Sequence, residues 1–135
     1  MKVIYTNLRV GNLEKSIEFY TKILGMRIQR RAENEEYRYS LVWFGFADIG
    51  QDDSAGIELT YNWDTSSYDI GNAFGQIVIA TDDVYKTCEA IKAKGWPLIR
   101  EAGPVKGGSS IIAFLADPDG YRIEFVETPR KDQKF

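Results

Sequence analysis

Two short strings carry the residues best suited to chemistry. Ile57-Glu58-Leu59 and Ile123-Glu124-Phe125 each set one carboxylate between two large apolar side chains. In a strand the flanking residues point to the opposite face, so each glutamate faces away from the apolar side. A carboxylate so placed can accept a proton or lend an oxygen to a cation. Alternation alone explains one such glutamate, because half-buried strands put polar residues outward. It does not demand two of them at matching places in a repeated pattern. Tyr5 and Gln76 open an earlier strand of each half and complete two polar pairs. Taken singly, Tyr5 reads as a strand aromatic and Gln76 as a strand polar residue.

Other chemistries are excluded by what the chain lacks. It has no histidine, which removes Ser-His-Asp catalysis, His-liganded zinc and the two-His-one-carboxylate iron site of dioxygenases. Its only cysteine is Cys88, so no intramolecular disulfide forms, as suits a reducing cytosol. The net charge of −3 and pI of about 5.0 supply no basic excess for nucleic acid. The start, Met1-Lys2-Val3-Ile4, lacks the apolar run of a signal peptide, and no stretch approaches a membrane span. A cytoplasmic protein with no nucleic-acid or membrane partner is expected.

The carboxylates are positioned by an internal repeat. Tyr5-Thr-Asn-Leu-Arg-Val-Gly-Asn-Leu13 opens the first copy, and Gln76-Ile-Val-Ile-Ala-Thr-Asp-Asp-Val84 opens the second over the same span. A helix follows each. The first, Glu14 to Leu24, has apolar residues at Leu13, Ile17, Tyr20 and Leu24; the second, to Lys94, has Val84, Cys88 and Ile91. Asn12 and either Asp82 or Asp83 are the cap candidates, and Gly25 and Gly95 stand where a glycine would stop each helix. Strands are expected at Met26–Arg31, Tyr39–Phe46 and Gly56–Asn62, then at Pro97–Arg100, Ser109–Ala116 and Tyr121–Glu127. Asp117-Pro-Asp-Gly120 marks the turn before the last strand. The order β-α-β-β-β appears twice, about 3–63 and 75–128, joined by a polar linker from Asp64 to Gly75. The tail from Pro129 to Phe135 is charged and is expected to fray. This predicts one α+β domain over 1–135, with helices outside curved sheets and a concave face where a pocket could form.

Longer strings resemble a known family. Thr6-Asn-Leu-Arg-Val-Gly11, Ser16-Ile-Glu-Phe-Tyr-Thr-Lys22 and Leu24-Gly-Met26 look like glyoxalase I (lactoylglutathione lyase), of the vicinal oxygen chelate superfamily. So do Ile57-Glu-Leu-Thr-Tyr-Asn-Trp63, Arg100-Glu-Ala-Gly-Pro-Val-Lys-Gly-Gly108 and Asp117-Pro-Asp-Gly-Tyr121. The resemblance implies metal-dependent isomerisation of the methylglyoxal–glutathione hemithioacetal to lactoylglutathione, a detoxification step. It implies a divalent ion (Ni, Co, Mn, Zn or Mg) at Tyr5, Glu58, Gln76 and Glu124, with Glu124 as the catalytic base. It also implies that Arg9, Asn62, Lys106 and Gly107 meet a glutathione-derived substrate, and that two chains pair as a homodimer sharing each site.

The departures fall on the ligands. In active relatives the first-strand positions hold His or Gln and His; here they are Tyr5 and Gln76. An oxygen-only set favours hard ions such as Mg or Mn over Zn or Ni, and a weak, inactive or metal-free site is an expected outcome. The alternative from a different class is a non-catalytic protein that binds small molecules or glutathione conjugates on the same scaffold.

Overall fold

A computed structural model describes residues 1–48, 51 and 55–127. The charged tail lies outside the described residues. The described chain divides into two compact units, Met1–Asp69 and, from Ile70, the remainder.

The first unit is β1 (Tyr5–Arg9), α1 (Leu13–Glu18) running on into a π-helical turn (Phe19–Ile23), β2 (Arg27–Asn34), β3 (Tyr39–Gly45) and β4 (Gly56–Asn62). The strands order as β1-β4-β3-β2, with β1 and β4 parallel and the other pairs antiparallel. The second unit repeats the plan with β5 (Ile77–Thr81), α2 (Val84–Ala93), β6 (Arg100–Pro104), β7 (Ile111–Ala116) and β8 (Arg122–Glu127), ordered β5-β8-β7-β6. The helix in each unit carries the chain from the first strand to the far edge of its sheet.

Local chemistry explains the helix ends. Asn12 and Asp83 each accept a hydrogen bond from the backbone N–H three residues on, Lys15 and Lys86, as N-caps do. Gly25 and Gly95 take φ of +79° and +85°, a left-handed conformation that stops a helix at little cost only in glycine.

Each helix covers one face of its sheet. In the first unit Leu8, Val42, Phe44, Ile57 and Leu59 are buried, and so are Phe19 and Tyr20 of the π turn. The Tyr20 ring lies 5.7 Å from that of Phe44. In the second unit Ala113, Leu115, Ile123 and Phe125 are buried, as are Val84, Cys88 and Ile91 of α2. Burial, with Glu101 adding, pushes the Cys88 thiol up from its ordinary value, so Cys88 serves as an inert core group.

Three expectations need correction. The first helix buries Leu13, Ser16, Phe19 and Tyr20, whereas Ile17 and Leu24 are only half-buried. The π turn is the reason: Leu24 N–H bonds Phe19 C=O five residues back, and the wider turn brings two adjacent aromatics inward together. The sixth strand is Arg100–Pro104, not Pro97–Arg100. Its pairing with β7 is irregular between Arg100 and Gly103. Arg100 makes up for the irregularity by donating to the carbonyls of Ile112, at 3.0 Å, and Pro104, at 2.8 Å. β2 runs on to Asn34, past the expected Arg31.

Candidate active site

Glu58 sits near the centre of the first sheet, on the face away from the helix. Strand register places Asn7 beside it on β1 and Trp43 beside it on β3. Both neighbours donate to it. Asn7 Nδ2 reaches Glu58 Oε1 at 2.7 Å and Thr60 Oγ1 at 2.7 Å. The Trp43 indole N–H donates to Oε2. The Arg30 guanidinium stacks 5.0 Å above the Trp43 ring and helps hold it. Both oxygens of Glu58 thus accept from side chains of its own sheet.

Tyr5 turns elsewhere. Its hydroxyl donates to Gln29 Oε1 at 2.6 Å, and Gln29 Nε2 donates to the Ala47 carbonyl at 2.9 Å. That carbonyl can only accept, which fixes the amide of Gln29 and makes Tyr5 the donor. Two glycines make room. A Cβ on Gly56 would lie 2.2 Å from the Phe44 carbonyl oxygen and 2.8 Å from Tyr5 Cε1, and one on Gly45 would lie 2.2 Å from Gln29 Nε2. The phenol therefore crosses β4 over Gly56 and the amide crosses β3 over Gly45. Gln29 occupies the bulge of β2, where register shifts between Ile28 and Arg30.

Glu124 holds the equivalent place in the second sheet, with different neighbours. Register puts Val78 and Phe114 beside it, and neither carries a polar side-chain hydrogen. The partner is Gln76, whose Nε2 donates to Glu124 Oε2 at 3.1 Å. Gln76 is exposed and stands one residue before β5. Arg122 lies 4.8 Å from the centre of the Phe114 ring.

The remaining expected residues lie in both units. Arg9 ends β1 beside Thr60. Asn62 Nδ2 donates to the Tyr68 hydroxyl at 2.9 Å. Lys106 and Gly107 sit in an exposed turn after β6, with Gly107 at φ +80°. The structure thus brings Gln76 and Glu124 together. It gives Tyr5 and Glu58 separate partners. Asn7, Gln29 and Trp43 were missed from the sequence, although Asn7 shares a strand face with Tyr5 by simple alternation.

The donor set does not fit a transition-metal ion on the first sheet. Asn7 and Trp43 aim hydrogens at the carboxylate that would have to meet a cation, and the phenol is committed to Gln29. Among the described residues, no three His, Cys, Asp or Glu side chains gather in one place.

Two βαβββ units, each ending on a strand with an outward glutamate in register with its first strand, define an open α+β architecture of the vicinal-oxygen-chelate kind. The chain belongs to the Glyoxalase/Bleomycin resistance protein/Dioxygenase superfamily, whose model matches residues 2–125. Lactoylglutathione lyase of Haemophilus influenzae is 54% identical over 127 residues, 94% of this chain and 93% of that one. The Neisseria meningitidis lactoylglutathione lyase is 49% identical over 132 residues, 98% of this chain and 94% of that one. Glyoxalase I from Zea mays superposes with a TM-score of 0.89 at 42% identity; the match covers 96% of this chain and 45% of the maize chain. An antibiotic-binding protein from Streptomyces, TnmS3, shares the fold at 20% identity with a TM-score of 0.71.

Proposed function

We propose that this chain is a lactoylglutathione lyase acting on the hemithioacetal of methylglyoxal and glutathione. The observation that carries the proposal is the likeness to lactoylglutathione lyases over nearly the full length of both chains. Glu124 is the reacting residue. It is half-buried, accepts from Gln76, and is flanked by apolar side chains on both neighbouring strands. Its carboxylate removes the carbon-bound proton next to sulfur and returns it to the neighbouring carbon. The bond to sulfur stays intact and no electron acceptor is needed, because oxidation at one carbon balances reduction at the next. Gln76 holds the carboxylate in place. Arg9, Asn62, Lys106 and Gly107 are the proposed contacts for the glutathione carboxylates and backbone.

Glyoxalase I relatives imply a divalent metal ion, which would polarise the substrate oxygens as a Lewis acid when bound. Tyr5, Glu58, Gln76 and Glu124 are the equivalent positions, and the first-sheet pair does not suit such an ion. Turnover is therefore expected to be slow. No helix among the described residues is long and apolar enough to cross a membrane. A cytoplasmic homodimer, with both units of each chain working as one domain, completes the proposal.

A second reading has its own support. The closed hydrogen-bond network around Glu58 suits a scaffold that binds a glutathione conjugate without reacting. One experiment separates the two: follow lactoylglutathione formation with Mn, Co, Ni, Zn or Mg added, and measure S-hexylglutathione binding in parallel. Turnover that Glu124→Gln lowers by about 10²-fold or more supports the lyase. Binding without turnover supports the second reading. Absence of both rejects the two together.

A further inference from the structure

We propose that a hydrogen-bonded polar network replaces the metal ion on the first sheet: Asn7 and Trp43 hold both oxygens of Glu58 while Gln29 draws Tyr5 aside, so the chain takes no transition-metal ion at the ligand-equivalent positions. The inference uses the family assignment of those positions and does not depend on whether the chain turns over substrate.

Three observations converge. First, the carboxylate is met by neutral N–H donors on both oxygens. Each puts a partially positive hydrogen where a cation would have to approach, and an indole N–H cannot turn round to accept. A carboxylate has about four acceptor directions, so count alone would leave room. The two that are filled, however, come from the strands on either side, and Asn7 is braced from behind by Thr60. Second, the residue at the first-strand ligand position is held elsewhere. Tyr5 donates to Gln29, which the Ala47 carbonyl fixes in orientation. Third, the backbone is shaped for that arrangement. Gly45 leaves the space that the Gln29 amide crosses, where a Cβ would lie 2.2 Å from Gln29 Nε2; a Cβ at Gly56 would meet the Phe44 carbonyl oxygen at 2.2 Å and the Tyr5 ring at 2.8 Å. A phenol merely obstructing a metal would need neither the bulge residue nor the second glycine.

Supplying imidazoles alone, as Tyr5→His with Gln76→His, leaves the Asn7 and Trp43 donors on Glu58. Recovery of a metal site requires their removal as well.

The test titrates full-length protein with Zn2+ by calorimetry and follows the Trp43 indole N–H by NMR. For the wild-type protein we expect no saturable Zn2+ uptake up to roughly 100 µM, a range in which even weak ligand sites of this size report, and an indole resonance that Zn2+ leaves in place. We expect Tyr5→His/Gln76→His to bind at least about tenfold more weakly than the same double variant carrying Asn7→Leu and Trp43→Phe. Wild-type uptake of one Zn2+ per chain, with the Trp43 signal moving to the free-indole position, overturns the proposal. So does equal Zn2+ affinity of the double and quadruple variants. Should the quadruple variant not fold, the wild-type titration and NMR arms still decide.

Discussion

The two halves of the molecule carry the same carboxylate on the same strand of the same topology, yet they surround it differently. Glu58 lies between Asn7 and Trp43, and Glu124 lies between Val78 and Phe114. At each flanking position a donor in the first half answers an apolar residue in the second. Tyr5 is led off by Gln29, whereas its counterpart Gln76 bonds Glu124 directly. The repeat thus preserves backbone and register while the side chains specialise. One half has become a fixed polar cluster. The other keeps a carboxylate with one side-chain donor, Gln76, among the described residues, which leaves capacity for a reacting proton.

The largest effect is expected at Trp43. Trp43→Phe gives the first sheet the flank that the second already has in Phe114. Glu58 Oε2 then loses its donor in a half-buried setting. A hydrogen bond to a charged group contributes about 1.5–3 kcal/mol, so urea denaturation should show a loss in that range, and the m-value should stay the same. In Glu58→Gln the same change should cost markedly less, because the charged acceptor is gone. Equal losses in both backgrounds would mean that ring packing, with Arg30 above it, matters and the indole bond does not.

Much of this architecture is legible along the chain, because its signals are local. Asn12 and Asp83 cap, Gly25 and Gly95 stop, and Gly56–Asn62 is a strand at the expected bounds. The two outward glutamates follow from alternation alone. What stayed hidden depends on partners far away in sequence. Trp43 is fifteen residues from Glu58 and Asn7 is fifty-one, and only cross-strand register shows that they flank it. Gln29 acts on Tyr5 because a bulge rotates it to that face, and no single-residue preference announces a bulge. The sixth strand begins later than the expected Pro97 because its register with β7 starts at Arg100. The π turn is not legible because Leu13, Ile17, Tyr20 and Leu24 fit a regular helical period, and only Phe19, buried beside Tyr20, departs from it.

Asn7 offers a gentler break. Asn7→Val copies Val78 into the first sheet. The Asn7 bonds to Glu58 and Thr60 are exposed, so water replaces much of what is lost, and valine suits a strand better than asparagine. The net cost should be small, about 0.5–1 kcal/mol, measured by the same denaturation. The Trp43 indole resonance should stay at its bonded position, since that contact is to the other oxygen. If it moves, the two donors act as one coupled unit.

The smallest effect on stability is expected from the reverse change, Val78→Asn, which carries the first-sheet donor into the second. Val78 is 54% exposed, so little buried apolar surface is lost. Strand preference falls by a fraction of the roughly 1 kcal/mol that the whole scale spans. A new amide bond to Glu124 would offset this, and net stability should stay within about 0.5 kcal/mol of the parent. Register makes the new bond feasible: Val78 stands beside Glu124 as Asn7 stands beside Glu58. The expected signature is local. The introduced side-chain amide should show separate, slowly exchanging NH2 resonances, and Glu124→Ala should return them to the free-amide position. Lyase turnover, where present, should fall while binding of S-hexylglutathione is kept, because a second donor occupies the oxygen that must take the proton. An introduced amide that ignores Glu124 would show that the halves differ in backbone placement as well as in side chains, and the equivalence of the two carboxylates would then be only topological.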